Sequence, residues 1–81
     1  MTNKFILIDN ENDAITVNDT DSWETPEDCF EDLKYGIRRR EIDREFLPWK
    51  LVHYQRGKRR NAMLVHTRIK DYTTDIVFDK I

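Results

Sequence analysis

Five short stretches rich in β-branched and aromatic residues, and one with apolar residues at helical spacing, divide the chain. Residues 4–9 (KFILID) read as a strand, and Asn10-Glu11-Asn12-Asp13 is turn chemistry, since Asn and Asp tolerate positive φ. Residues 14–18 alternate, with Ile15 and Val17 on one face, so the two stretches predict an N-terminal β-hairpin. Thr25-Pro26-Glu27-Asp28 predicts a helix start. Thr25 can cap free amides, Pro26 suits the first helical position, and Glu27, Asp28 and Glu31 complement the positive helix end.

Phe30, Leu33 and Ile37 form the expected core face of this helix, with Cys29 at its edge. Carried further, that face would bear Arg40 and Arg44, while Tyr35, Ile42 and Phe46 fall on the opposite side. A break between Gly36 and Arg40 resolves the conflict. It leaves a second short helix over 39–46, supported by Arg39–Asp43 and Glu41–Arg44 pairs. Leu47-Pro48 ends it. Residues 50–55 and 62–69 then read as strands around a basic turn at 56–61 containing Gly57. Lys70-Asp71 is a turn, and 72–78 the last strand. The expected order is β-β-α-(α)-β-β-β. This is an α+β fold: a small single domain over residues 1–81, an antiparallel sheet with one or two helices packed on one face.

Composition sharpens this picture in three respects. Charged residues make up 37% of the chain, well above the usual ~25%. Two Trp, three Tyr and four Phe nevertheless supply enough apolar area for a core. Cys29 is the only cysteine, which excludes an internal disulfide and a cysteine-based zinc site within one chain. The N-terminal apolar run is too short for a signal peptide, and no stretch approaches a membrane span, so the expected location is cytoplasmic.

The charges are sorted along the chain. Residues 1–35 hold ten acids against Lys4 and Lys34, a net −8, whereas residues 36–81 hold twelve bases against six acids, a net +6. Charge distribution acts on association more than on fold. The helix start accounts for Glu27, Asp28, Glu31 and Asp32, but 9–21 has no such explanation. Arg38, Arg39, Arg40 and Arg44 in the helical segment, with Arg56, Lys58, Arg59 and Arg60 in the hairpin turn, are seven Arg and one Lys. The guanidinium fork suits two-point contacts to phosphate. An Arg-rich turn beside an Arg-rich helix would straddle a nucleic-acid backbone, with Trp49, His53 and Tyr54 between them to stack on unpaired bases.

Other chemistry is weaker. Asp9-Asn10-Glu11-Asn12-Asp13 lacks the glycine and final glutamate of a calcium loop, since Ala14 and Thr20 stand there, so no metal is expected. His53 and His66, if paired across two strands, would permit RNA cleavage by general acid–base chemistry, but no nucleophile or Gly-rich loop accompanies them. Cys29 reads as packing. The leading expectation is a binding protein without catalysis or cofactor, contacting RNA, DNA or a ribonucleoprotein through its basic strip. The alternative is an inhibitor or antitoxin of the phage type, blocking a host or defence protein by complementary charge, with Asp19, Asp21 and Trp23 against its partner. In its size, charge and aromatic content the chain resembles accessory proteins of large DNA phages. A second copy is a further candidate partner, through a sheet edge or the opposite charge regions.

Overall fold

Three two-residue turns shape the sheet and its border. Asn18 and Asp19, Arg56 and Gly57, and Asp71 and Tyr72 all have positive φ, between 51° and 78°. Two adjacent left-handed residues are what the tight type I′ turn requires, and its twist matches that of antiparallel strands. The computed structural model describes residues 3–42 and 44–80, with the backbone alone at Arg44 and Lys70. Its elements are β1 (Asn3–Ile8), α1 (Pro26–Arg38), a single 3₁₀ turn (Arg44–Phe46), β2 (Trp49–Gln55), β3 (Lys58–Lys70) and β4 (Thr73–Lys80).

The strands form one antiparallel sheet in the order β1-β2-β3-β4. β3 is the long spine. Its first part pairs with β2 and its last part with β4, so the two hairpin turns lie at opposite ends of it. Thirteen residues at ~3.3 Å each span about 40 Å, which matches the molecule's longest extent of 41 Å.

One face of the sheet carries Leu7, Leu51, Val65 and Ile76, and against it pack Cys29 and Leu33 of α1 together with Val17, Trp23 and Trp49. The helix rests over β4 as well, where Phe30 meets Phe78 edge to face at 5.4 Å. Cys29 is fully buried, at the centre of the helix face and not at its edge. The other face of the sheet carries Val52, also fully buried but outside this core cluster, between its register partners Ile6 and Ala62. The α+β class, the antiparallel sheet and the capped helix are therefore as expected.

Three details differ from the sequence reading. The second strand of the N-terminal hairpin is reduced to isolated bridges, Ile8 with Ala14, Val17 with Thr20, and Phe5 with Trp23. The Asn18–Asp19 turn folds residues 17–20 back on themselves, so it is the returning chain that pairs beside β1. Phe5 and Trp23 exchange both backbone hydrogen bonds, at 2.7 and 2.9 Å. This strap covers part of an edge strand that would otherwise be open to pairing with another chain.

The second difference is at the helix end. Thr25 caps the start, its hydroxyl accepting the Asp28 amide at 3.2 Å. At the other end Arg40 takes a left-handed conformation, φ 63°, and the amides of Glu41 and Ile42 return to the Gly36 carbonyl. A Cβ on Gly36 would stand 2.6 Å from Ile42 Cδ1, so the return depends on a glycine there. The chain breaks where expected, but only the 3₁₀ turn follows in place of a second helix. The Arg39–Asp43 pair, and the side chain of Arg44, lie outside the described residues.

Third, the basic turn is shorter than the 56–61 expected. Only Arg56 and Gly57 form it, and Lys58, Arg59 and Arg60 already belong to β3.

Candidate nucleic-acid interface

The β2–β3 hairpin places the bases at 56–60 by a local rule and a local exception. Gly57 at φ 78° closes the turn. Beyond it the register is regular for two pairs, Gln55 with Lys58 and Tyr54 with Arg59, and then slips, since His53 stands opposite Asn61. Arg60 is thus the extra residue of a β-bulge, a device that increases local twist and re-aims side chains. Arg56, Lys58, Arg59 and Arg60 are all exposed. Among the described residues, none of the four makes a salt bridge.

β1 adds a fifth cation. Lys4 stands opposite Tyr54, which stands opposite Arg59, giving a Lys–Tyr–Arg row across three strands. Beside this row the strap and the turn enclose an open hollow of about 600 Å³, lined by Lys4, Ile6, Trp23, Glu24, Tyr54 and Arg56 among others. On the opposite face of the sheet Phe5 stacks on His53 with centroids 4.6 Å apart, and His53 Nε2 meets Asn3 Oδ1 at 3.1 Å.

The helix-end arginines are elsewhere. Arg38 lines a hollow with Thr74 and Asp75, whose partners on β3 are Ile69 and Arg68. Ten residues of β3 separate Arg68 from Lys58, on the order of 30 Å. The expected straddling of one backbone by helix and turn is therefore not built. At the helix end Arg39 is occupied locally, while Arg38 and Arg40 are exposed and make no salt bridge among the described residues. Arg39 donates to the Tyr35 hydroxyl at 3.1 Å, lies over that ring at 5.3 Å and meets Glu41 at 3.5 Å. Arg38 sits in the last helical turn, where a cation complements the helix dipole. Asp19, Glu31, Asp32 and Glu41 line a common hollow with Arg39, so the field there is acidic.

Two tryptophans leave the candidate surface. Trp49 is 7% exposed and packs in the core, so it has no ring face to offer a base. Trp23 is 5% exposed, and its Nε1 donates to Asp32 Oδ2 at 2.6 Å. Burial and this anchored indole leave it no free face for a partner protein. Asp19 and Asp21 are exposed, Asp19 at φ 61° in the tight turn.

The histidines are not neighbours. His53 shares the face of Phe5 and Leu51, while His66 is paired opposite Val77 on the other face and meets Asp79 at 2.6 Å. Odd and even positions of a strand point to opposite sides, so the two rings cannot serve one reacting group. Burial, then the nearby Asp32 charge, pushes the Cys29 thiol up to about 12, far from a reactive thiolate. Asp9 Oδ1 accepts the Glu11 and Asp13 amides at 2.8 and 3.0 Å, so this carboxylate serves the turn. No helix among the described residues is long and apolar enough to cross a membrane.

Lys4 and Glu24 were not expected at the site. Lys4 reads from sequence as an ordinary strand residue, and only the pairing of β1 with β2, across more than 40 intervening residues, brings it beside Tyr54. Compared with protein-family models, curated proteins and solved structures, the chain matches none of them.

Proposed function

We propose that this chain is a non-enzymatic binding protein whose β2–β3 hairpin end contacts the phosphate backbone of a nucleic acid, RNA in preference to DNA. One observation carries the reading: Arg56, Lys58, Arg59 and Arg60 are exposed cations without salt bridges among the described residues, crowded around a two-residue turn. Like charges at such spacing repel one another and contribute nothing to the turn, whereas a polyanion gains from each of them through counterion release. Arg predominates, as two-point phosphate contacts favour. RNA is preferred because its loops and bulges present unpaired bases, which a ring such as Tyr54 can stack upon.

The test is a titration of the protein into labelled RNA and DNA oligonucleotides at ~50 mM salt, repeated as salt is raised. Binding is expected to weaken with a log–log slope of about −0.7 for each single-strand phosphate neutralised. Absence of any complex at low salt overturns the proposal. The inhibitor reading, with Asp19 and Asp21 facing a partner, has less support, because Trp23, its intended hydrophobic anchor, is turned into the core.

A further inference from the structure

The hollow beside the hairpin turn contains more than phosphate recognition needs. Lys4 and Arg56 line it, and so does Glu24, yet the carboxylate makes a salt bridge with neither cation. Two cations and an anion are thus held apart around one open space of about 600 Å³, within the size range of small-molecule sites. The remaining wall is mixed: Ile6 and Tyr54 give it apolar and aromatic surface, beside Asn3, Ser22, Gly57 and the buried Trp23. A phosphate chain uses none of the apolar and aromatic part. A base can stack on the Tyr54 ring and pack against Ile6.

We propose that this hollow receives one unpaired nucleobase, so that the ligand is single-stranded, and that Glu24 selects bases bearing an exocyclic amino group. In this arrangement Tyr54 supplies the stacking face, Lys4 and Arg56 hold the flanking phosphates, and the Glu24 carboxylate accepts from the amino group. Carboxylates accept from the N4 amino group of cytosine, whereas uracil presents O4, a second acceptor, at the same position. A uracil in the hollow sets lone pairs against lone pairs. The inference rests on the proposed nucleic-acid reading, and it adds the form of the strand and the base preference.

The experiment compares wild-type binding to three RNAs of equal length: oligo(C), oligo(U) and a fully paired duplex. Phosphate attraction alone predicts that the duplex, with its higher charge density, binds at least as tightly as either single strand. A base-receiving hollow reverses that order. Oligo(C) is expected to bind at least about fivefold more tightly than the duplex, as one stacked base provides, and several-fold more tightly than oligo(U). Glu24→Gln is expected to erase the C-over-U preference, since an amide presents both donor and acceptor. Tyr54→Leu lowers oligo(C) affinity about tenfold and leaves the duplex unchanged, while Tyr54→Phe, keeping the ring, retains binding. Glu24 is exposed on the strap, so its variant tests the inference without risk to the fold. Duplex binding equal to or tighter than oligo(C), or a C-over-U ratio untouched by Glu24→Gln, overturns the inference while the proposed function stands. Failure of all three RNAs to bind at low salt overturns both.

Discussion

At the end of α1, Arg39 has a phenol, an aromatic face and a carboxylate within reach, and Arg38 sits where the helix dipole favours a cation. At the β2–β3 turn, Arg56, Lys58, Arg59 and Arg60 have no such partners among the described residues. From sequence the two clusters are equivalent Arg runs. Folded, Arg39 lines a hollow with Asp19, Glu31, Asp32 and Glu41, whereas Arg56 lines one with Lys4 and Glu24. A run of bases is informative only after the charges that local structure uses have been subtracted.

The largest effect that would break this comparison is on affinity. Arg56→Ala/Arg59→Ala/Arg60→Ala is expected to weaken oligonucleotide binding by roughly 30-fold or more and to flatten the log–log salt slope by about 2. Arg38→Ala/Arg39→Ala should change affinity by less than about threefold and lower thermal stability instead, through the lost helix-end interactions. Equal losses from both variants would mean that the two ends act together and that the distinction is wrong.

The glycines sharpen the same contrast. Gly36 is constrained by contact, since its Cβ would meet Ile42 Cδ1 at 2.6 Å. Gly57 is constrained by its φ of 78°, with nothing within 4 Å of a Cβ. Gly36→Val is expected to destabilise by about 2 kcal/mol through overpacking, and Gly57→Ala by about 1 kcal/mol through backbone strain. Chemical denaturation measures both. A Gly36→Val protein as stable as wild type would show that Ile42 does not need that space.

These contrasts also explain what was legible beforehand. The helix start was readable because Thr25, Pro26, Glu27 and Asp28 act within one turn of chain. The hairpin strands were readable because alternation and turn residues are local. The strap was not, because Val17 and Trp23 are buried by tertiary packing that no local pattern announces. The position of the helix-end arginines was missed for the same reason. Their distance from the hairpin turn follows from β3 extending past β2 to pair with β4, a register set by the whole sheet. Lys4 joins the site only through long-range pairing, and Trp49 leaves it only because a strand residue two before Leu51 must share its buried face.

Alkaline pH tests the packed helix face. Cys29 holds its proton to about 12 in the fold against an ordinary 9.0, because it is buried and lies near Asp32. The unfolded chain therefore releases this proton first. The contribution is complete below pH ~9 and declines as pH rises toward 12, by up to about 1.4 kcal/mol per unit. Denaturation at pH 8 and 10.5 is expected to show a fall in wild type that Cys29→Ala does not share. A parallel fall in both proteins would assign the pH dependence to other groups.

The smallest effect gives the cleanest discrimination. Arg40 and Arg56 occupy the same strained backbone region, at φ 63° and 54°, one ending the helix and the other opening the hairpin turn. Asn tolerates that region better than Arg at both kinds of site, as a helix terminator and as the first residue of an Asn-Gly turn. Arg40→Asn and Arg56→Asn are therefore each expected to stabilise the fold slightly, by about 0.5 kcal/mol, read as a small rise in denaturation midpoint. Their effects on binding should diverge. Arg40→Asn leaves oligonucleotide affinity within twofold, whereas Arg56→Asn lowers it several-fold despite the stabler turn. A residue that strains its own backbone, and whose relief harms only binding, is held there by what it binds. Matching losses of affinity at both positions, or none at either, would remove that argument for Arg56.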